Sequence, residues 1–218
     1  MQTLLRQVEL TMTEYYYSQN PSASHHEQEW TFDLLGNTFY FTTDNGVFSK
    51  NTVDFGSRTL LTAINQLALT NTDFKKILDV GCGYGPLGLA LAKRFPESQV
   101  DLIDINQRAL ELAKKNATLN QLTNVKIWAS NIYQQVSASD YDLIISNPPI
   151  RARKKVVQKI ITEAGEHLKS QGQLIIVIQK KQGAPSAKKQ LEAVFGQAQV
   201  LLRQKGYYVL LSSKVSEG

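Results

Sequence analysis

Hydrophobic and polar positions follow two different patterns along this chain, and the change falls near Lys76. Before it, the segment EWTFDLLGNTFYFTTDNGVFS alternates apolar and polar residues on both sides of Gly36-Asn37, which predicts a two-stranded hairpin. Apolar residues of the next segment, SRTLLTAINQLA (57–68), recur at helical spacing and predict a helix.

From Lys76 onward, short apolar runs alternate with segments of helical spacing, which predicts a parallel sheet covered by helices on both faces. The last two runs flank Lys205-Gly206, so they form a hairpin, and one of its strands must be antiparallel to its neighbours. Strands are predicted at 76–83, 99–106, 124–130, 141–149 and 172–180, with a closing pair within 200–213, and helices at 87–95, 107–120, 156–170 and 186–196.

The predicted fold class is therefore α/β. It is a Rossmann-like, doubly wound sheet of about seven strands, mostly parallel with an antiparallel C-terminal hairpin strand, plus an N-terminal β-hairpin extension. We expect the extension to cover residues 1–56 and the main domain to cover residues 57–218.

The composition is that of a globular protein, with 42% hydrophobic residues in a length of 218, which suits one domain. Apolar runs stay below the roughly 18 residues needed to cross a bilayer, and Glu9 interrupts the apolar core that a signal peptide needs. The single Cys82 has no disulfide partner, and no Cys/His cluster indicates a metal site. We expect a cytoplasmic protein without a metal and without a membrane partner.

Positive charge is concentrated in the C-terminal part of the chain. Residues 147–218 hold 13 Lys and Arg against 4 Asp and Glu, whereas residues 1–146 hold 11 against 15. A basic region of this kind is typical of a surface for a polyanion, although a solvated helix face would give the same count.

A glycine loop, DVGCGYGPLG, follows the first strand of the predicted sheet. Glycines at 81, 83 and 85 allow the backbone to turn sharply and approach a ligand closely. Pro86 breaks the dinucleotide spacing G-x-G-x-x-G, and no Lys-Ser/Thr pair follows, so neither a dinucleotide loop nor a phosphate-binding P-loop is indicated.

Polar residues also end the next two strands, where ligands of such sheets bind. Asp104 can accept hydrogen bonds from both ribose hydroxyls of a nucleoside, and Asn131 can bond an adenine edge between Ile105 and Ile132. Together with the glycine loop they predict a nucleoside-binding site.

The fourth strand ends in Asn147-Pro148-Pro149, a turn that can continue neither a strand nor a helix because proline lacks a donor and fixes φ. Asn147 is therefore held on a stiff turn, with its side chain directed at a ligand or used only for structure.

With these motifs the chain resembles class I S-adenosylmethionine-dependent methyltransferases, from about Phe74 to the C-terminus. It is most similar to small relatives of the ribosomal RNA small-subunit guanine-N2 methyltransferases. The resemblance implies that the cofactor is S-adenosylmethionine and that the segment FTTDNGVFSKNTVDFGSRTLL packs over its methionine end, with Val47, Phe48 and Ser49 near the site. The implied cofactor-binding residues are Asp79, Gly81, Gly83, Gly85, Asp104, Ile105, Asn131, Ile132, Asn147 and Phe48.

The resemblance also implies the chemistry. The Asn147 side-chain oxygen and the Pro148 carbonyl would be the catalytic acceptors for an exocyclic amino group, which receives the methyl in line without a metal or a covalent intermediate. Many amino-methylating relatives carry an aromatic residue at the position of Ile150, so here the base needs another stacking surface, for which Phe48 and Tyr84 are candidates. Substrate contacts are predicted for Pro149, Ile150, Arg151, Arg153 and Lys154.

The predicted function is methylation of guanine N2 in RNA, with ribosomal RNA or the small ribosomal subunit as partner and a monomer or homodimer as the assembly. Two alternatives stay open. One is methylation of adenine N6 or of protein glutamine at the same turn, and the other is a non-catalytic RNA-binding module.

Overall fold

The structure is a computed structural model that describes residues 26–45, 47, 49, 51–68, 74–149 and 154–215. The strands are β1 (Gln28–Leu34), β2 (Asn37–Thr43), β3 (Lys76–Val80), β4 (Gln99–Asp104), β5 (Val125–Ala129), β6 (Tyr141–Ser146), β7 (Leu168–Gln179), β8 (Gln199–Gln204) and β9 (Tyr207–Ser213). The helices are α1 (Phe55–Ala68), α2 (Pro86–Arg94), α3 (Gln107–Leu119), α4 (Lys154–His167) and α5 (Ala184–Phe195), with a 3₁₀ turn at Lys180–Gln182.

The described strands form a separate β1–β2 hairpin and one large sheet of order β5-β4-β3-β6-β7-β9-β8. Neighbouring strands from β5 to β7 are parallel, whereas β9 is antiparallel to both β7 and β8. The predicted fold class is therefore confirmed, including the N-terminal hairpin and the antiparallel strand near the C-terminus. Because β9 runs against the parallel strands, it begins at the edge where they end.

The two faces of the large sheet bury separate apolar cores. Ile77 and Leu78, adjacent on β3, point into different cores, as the two-residue period of a strand requires. Helices α1, α2 and α3 cover one face, and α4 and α5 cover the other. A sheet buried on both faces explains why its strands are nearly continuous apolar runs.

The predicted boundary between α4 and β7 is wrong. The helix predicted to extend to Ser170 ends at His167, and the strand predicted from Gly172 begins at Leu168. Leu168 is fully buried and pairs with Tyr141 of β6. A Cβ on Gly172 would lie 2.7 Å from the Tyr141 backbone oxygen, so glycine is needed where the chains approach. Both constraints come from β6, far away in sequence, and they override the local helical spacing.

A buried carboxylate joins β3 to α2 across the glycine loop. Asp79 is fully buried, and its Oδ2 accepts a hydrogen bond from the Gly88 N–H in the first turn of α2 at 2.9 Å. Lost solvation raises the pKa of Asp79 from 3.8 to about 7, with the Gly88 bond opposing the shift and the charge of Asp104 adding to it. This bond fixes the start of α2 against the strand, and with it the loop between them.

Two asparagine side chains hold the N-terminal hairpin against α3. Asn116 accepts a hydrogen bond from the Thr42 N–H at 2.7 Å and donates to the carbonyls of Thr42 and Tyr84 at 3.1 and 2.9 Å. One turn later, Asn120 bonds the N–H and carbonyl of Tyr40 at 3.0 and 2.7 Å. The spacing matches because four helical residues rise about 6 Å and two strand residues about 6.8 Å. The two amides therefore satisfy backbone N–H and carbonyl groups along the edge of β2 that a neighbouring strand would otherwise pair.

We predict that Asn116→Ala lowers the free energy of unfolding by about 2–4 kcal/mol, because it leaves buried backbone groups of Thr42 and Tyr84 without partners. Asn120→Ala is the matched control at a more exposed position, with an expected loss of about 1 kcal/mol. Urea denaturation of both variants measures the difference. Equal, small losses would show that the hairpin does not depend on Asn116.

Candidate active site

A cavity lies along the edge at which the parallel strands end, and it extends across the sheet from β5 to β9. Its walls come from the loops that follow β3 to β7, from the segment before α1, and from the start of β9. The lining includes Val47, Ser49, Asp54, Ser57, Gly81, Gly83, Tyr84, Asp104, Ile105, Asn131, Ile132, Asn147, Pro148, Pro149, Gln179 and Tyr207.

The glycine loop forms the floor of the cavity beside β3. Gly81 and Gly83 have φ of 78° and 58°, in the left-handed region that disfavours side chains, and a Cβ added at either would meet no atom within 4 Å. The N–H groups of Gly81 and Cys82 are bonded to the Ile103 carbonyl at 2.8 and 2.9 Å, which fixes the loop to β4. The loop is therefore rigid, with open space next to its backbone.

Asp104 ends β4 at the rim of this floor. One of its oxygens accepts a hydrogen bond from the Gly83 N–H at 2.8 Å, and the other accepts one from the Asn106 N–H at 2.9 Å. Partial burial raises the pKa of Asp104, and the backbone bonds oppose that shift. A carboxylate offers about four lone pairs in all, so Asp104 can still accept a bond from a ligand.

The loop after β5 forms the wall of the cavity next to Asp104. Ile132 has φ of 56°, which is unusual for a β-branched residue. The Ser130 hydroxyl stabilises this turn by donating to the Ile132 carbonyl at 2.6 Å. Asn131 is exposed beside it, while Ile105 and Ile132 are half-buried on the lining. An exposed amide is thus placed next to two apolar side chains.

Asn147 is fixed from the opposite side of the cavity by the start of α1. Its Nδ2 donates to Asp54 Oδ1 at 3.0 Å and to Ser57 Oγ at 2.9 Å. An amide nitrogen has two hydrogens, so both are used, and Oδ1 is left as the acceptor. A carboxylate can only accept hydrogen bonds, so Asp54 also fixes the orientation of the amide, with Nδ2 facing Asp54.

Asp54 and Ser57 are functional candidates that the sequence analysis missed. Asp54 Oδ1 also accepts the Ser57 N–H at 3.1 Å, which makes Asp54 the N-cap of α1. The signal was present, because an Asp directly before Phe-Gly-Ser, at the start of a helical segment, predicts such a cap. Nothing local indicates that the capping residues face Asn147, which lies about ninety positions further along the chain.

Not all predicted site residues line the cavity. Asp79 and Gly85 lie beneath it, at the base of α2. Tyr84 reaches it, but the ring packs in a buried cluster with Trp30 and Phe41, where burial raises the pKa of Tyr84.

Lys154 is exposed at the first position of α4 and does not line the cavity. The predicted contacts Phe48, Ile150, Arg151 and Arg153 lie outside the described residues.

Within the part of the chain that the structure describes, no group of three or more His, Cys, Asp or Glu side chains is placed to hold a metal ion. None of the helices in this part is long and apolar enough to cross a membrane.

The chain matches the family model of the methyltransferase small domain over residues 38–211. It is 49% identical over 205 residues to YbxB, an uncharacterised protein of Bacillus subtilis. This match covers 94% of this chain and 100% of YbxB. It is 39% identical over 139 residues to ribosomal RNA small subunit methyltransferase C of Buchnera aphidicola, covering 62% of this chain and 41% of that one.

Among solved structures, the 16S rRNA N2 methyltransferase RsmC of T. thermophilus, in complex with AdoMet and guanosine, has a TM-score of 0.77 and 26% identity. The match covers 89% of this chain and 52% of that one, so the chain spans about half the length of these methyltransferases. A ribosomal protein L11 methylase from Lactobacillus delbrueckii, at 24% identity, covers 72% of this chain and 79% of its own with a TM-score of 0.60, which is a likeness of fold. Since the family model matches most of its length, the chain belongs to the methyltransferase small domain family.

Proposed function

We propose that this protein methylates the exocyclic N2 of a guanine in ribosomal RNA, with S-adenosylmethionine as the methyl donor. The observation that carries the proposal is the fixed amide of Asn147, whose nitrogen is bonded to Asp54 and Ser57 and whose oxygen is left as an acceptor.

The half of the cavity formed by β3, β4 and β5 fits S-adenosylmethionine. Open space beside Gly81 and Gly83 gives room for a ligand against the backbone. Asp104 supplies acceptors for ribose hydroxyls, and Ile105 and Ile132 supply apolar contacts for an adenine ring, with the amide of Asn131 beside them. The bound cofactor supplies an electrophilic methyl group on a sulfonium sulfur.

The residues of the Asn147 turn act on the amino group that accepts the methyl. An exocyclic amino group is a poor nucleophile because its lone pair is delocalised into the ring. Asn147 Oδ1 and the Pro148 carbonyl can each accept one of its hydrogens, which directs the lone pair of the nitrogen away from the ring plane. Both acceptors stand on a proline-stiffened turn, so they contribute preorganised dipoles with little reorganisation.

A nucleic acid substrate is supported by charge and by the relatives. The region from 147 to 218 carries a net charge of +9, and it contains both the catalytic turn and the far wall of the cavity. Two of the similar proteins are named as methyltransferases of small-subunit ribosomal RNA, and one of them acts at N2. Guanine N2 in ribosomal RNA is the substrate that agrees best with the basic charge, with the similar proteins and with the two acceptors of the Asn147 turn.

We predict that the protein transfers labelled methyl to ribosomal RNA, or to small ribosomal subunits, from cells that lack this protein. Digestion of the labelled RNA should yield N2-methylguanosine. Asn147→Ala should lower kcat by about 100-fold or more, because it removes a preorganised acceptor. Transfer RNA and total protein are the comparison fractions. Label in N6-methyladenosine or in protein would contradict the proposal and favour the alternative substrates.

We also predict that Asp54→Ala lowers kcat about tenfold while the dissociation constant of S-adenosylmethionine stays nearly unchanged. The Ser57 hydroxyl that remains can donate as well as accept, so it does not fix the orientation of the Asn147 amide. Asp54→Asn is the matched control: its side-chain oxygen can still accept from Asn147 and cap α1, so most activity should remain. Single-turnover kinetics with saturating cofactor separates the two variants. Equal activity of Asp54→Ala and the wild type would show that Asp54 does not position Asn147.

A further inference from the structure

The half of the cavity beyond Asn147 contains an aromatic side chain that no cofactor contact accounts for. Tyr207 is the first residue of β9 and pairs with Gln179, the last residue of β7, so it stands at the ligand edge of the sheet. It lines the cavity and is half-buried. The features that suit the cofactor lie on β3, β4 and β5, at the other end.

Gly56 shows how close Tyr207 is to the catalytic amide. A Cβ built on Gly56 would lie 3.0 Å from Tyr207 Cε1 and 3.2 Å from Asn147 Oδ1, so the ring and the acceptor oxygen flank the same point. A flat base whose amino group is bonded to Asn147 therefore has the Tyr207 ring within reach. Aromatic rings are the usual stacking partners of unpaired bases.

The Tyr207 ring packs against Phe55, whose own ring lies next to two cations. The Phe55 ring lies 5.6 Å from it, centroid to centroid, at an interplanar angle of 49°. The Lys205 ammonium and the Arg58 guanidinium lie 5.0 and 5.3 Å from the centre of the Phe55 ring. An aromatic pair is thus bordered by two exposed cations from different parts of the chain.

Lys205 occupies a backbone position that does not suit it. It has φ of 45° and precedes Gly206, with φ of 82°, in the two-residue turn between β8 and β9. Turns with two left-handed residues favour Asn, Asp or Gly at the first position. The turn is tied to the ligand edge, because the Lys180 N–H donates to the Gly206 carbonyl at 2.7 Å. A cation therefore stands over the Phe55 ring, next to Tyr207, at some cost to local backbone energy, and this supports a function for its charge.

We propose that Tyr207 is the surface on which the target base stacks while Asn147 binds its amino group, and that Lys205 and Arg58 bind the adjacent phosphate. The proposal rests on the function proposed above and names the residues that recognise the nucleotide. Phosphate contacts hold the strand without reading its sequence, whereas the stacked ring holds the base itself.

The test compares variants on the RNA fraction that the wild-type protein methylates. Tyr207→Leu should lower kcat/KM for RNA by about 10- to 100-fold, with the dissociation constant of S-adenosylmethionine unchanged, and Tyr207→Phe should stay close to the wild type. Tyr208→Leu is the control, because Tyr208 is the next residue on β9, is also half-buried, and packs against the core on the opposite face of the sheet.

Lys205→Asn provides a second variant, which we expect to fold because Asn suits the turn better than Lys. It should raise the melting temperature. It should also reduce the slope of log Kd for RNA against log salt by about 0.7, which is the change expected when one phosphate contact to a single strand is lost. Lys126→Asn, an exposed lysine on the far edge strand β5, should leave the slope unchanged.

Wild-type activity of Tyr207→Leu, equal losses in the Tyr207→Leu and Tyr208→Leu variants, or an unchanged salt slope for Lys205→Asn would each overturn the proposal. If the wild-type protein methylates no RNA, the proposed function itself fails. This result is obtained before any variant is compared, so it is distinct from a failure of the Tyr207 proposal.

Discussion

The geometry of the site depends on the two hydrogen bonds by which the start of α1 holds the Asn147 amide. The turn after β6 fixes the backbone of Asn147 but leaves its side chain free to rotate. Asp54 and Ser57 remove that freedom, because together they use both amide hydrogens. The oxygen is then the free atom of the side chain, and a rigid acceptor is what the proposed chemistry needs.

This constraint explains several features around it. α1 must start at one position, which Asp54 ensures as its N-cap. Gly56 lies between these groups, and a Cβ there would be 3.0 Å from Asp54 Oδ1 and Tyr207 Cε1 and 3.2 Å from Asn147 Oδ1, so glycine leaves them room that a side chain would crowd. The apolar face of α1, including Leu60, packs into the same core as the N-terminal hairpin, so the hairpin supports the helix that holds the Asn147 amide.

Much of the fold and part of the site could be predicted from the sequence, because their determinants are local. The periods of the apolar residues gave the order of strands and helices, and the glycines, Asp104 and Asn147 each stand at a strand end where ligands bind. The end of α4 at His167 could not be predicted in this way, since it is set by the pairing of Leu168 with Tyr141. Asp54 was missed for the same reason, because its hydrogen bond to Asn147 joins residues that lie far apart in the sequence. Tyr207 was missed because its place at the cavity depends on the pairing of β9 with β7.

The most direct test of the central claim is a crystal structure of the protein with S-adenosylhomocysteine and guanosine. The account predicts that Asn147 keeps its bonds to Asp54 and Ser57, and that its Oδ1 lies about 2.9 Å from guanine N2. The guanine ring should lie against Tyr207. A guanine bound with its amino group turned away from Asn147, or an Asn147 amide rotated away from Asp54, would contradict the account.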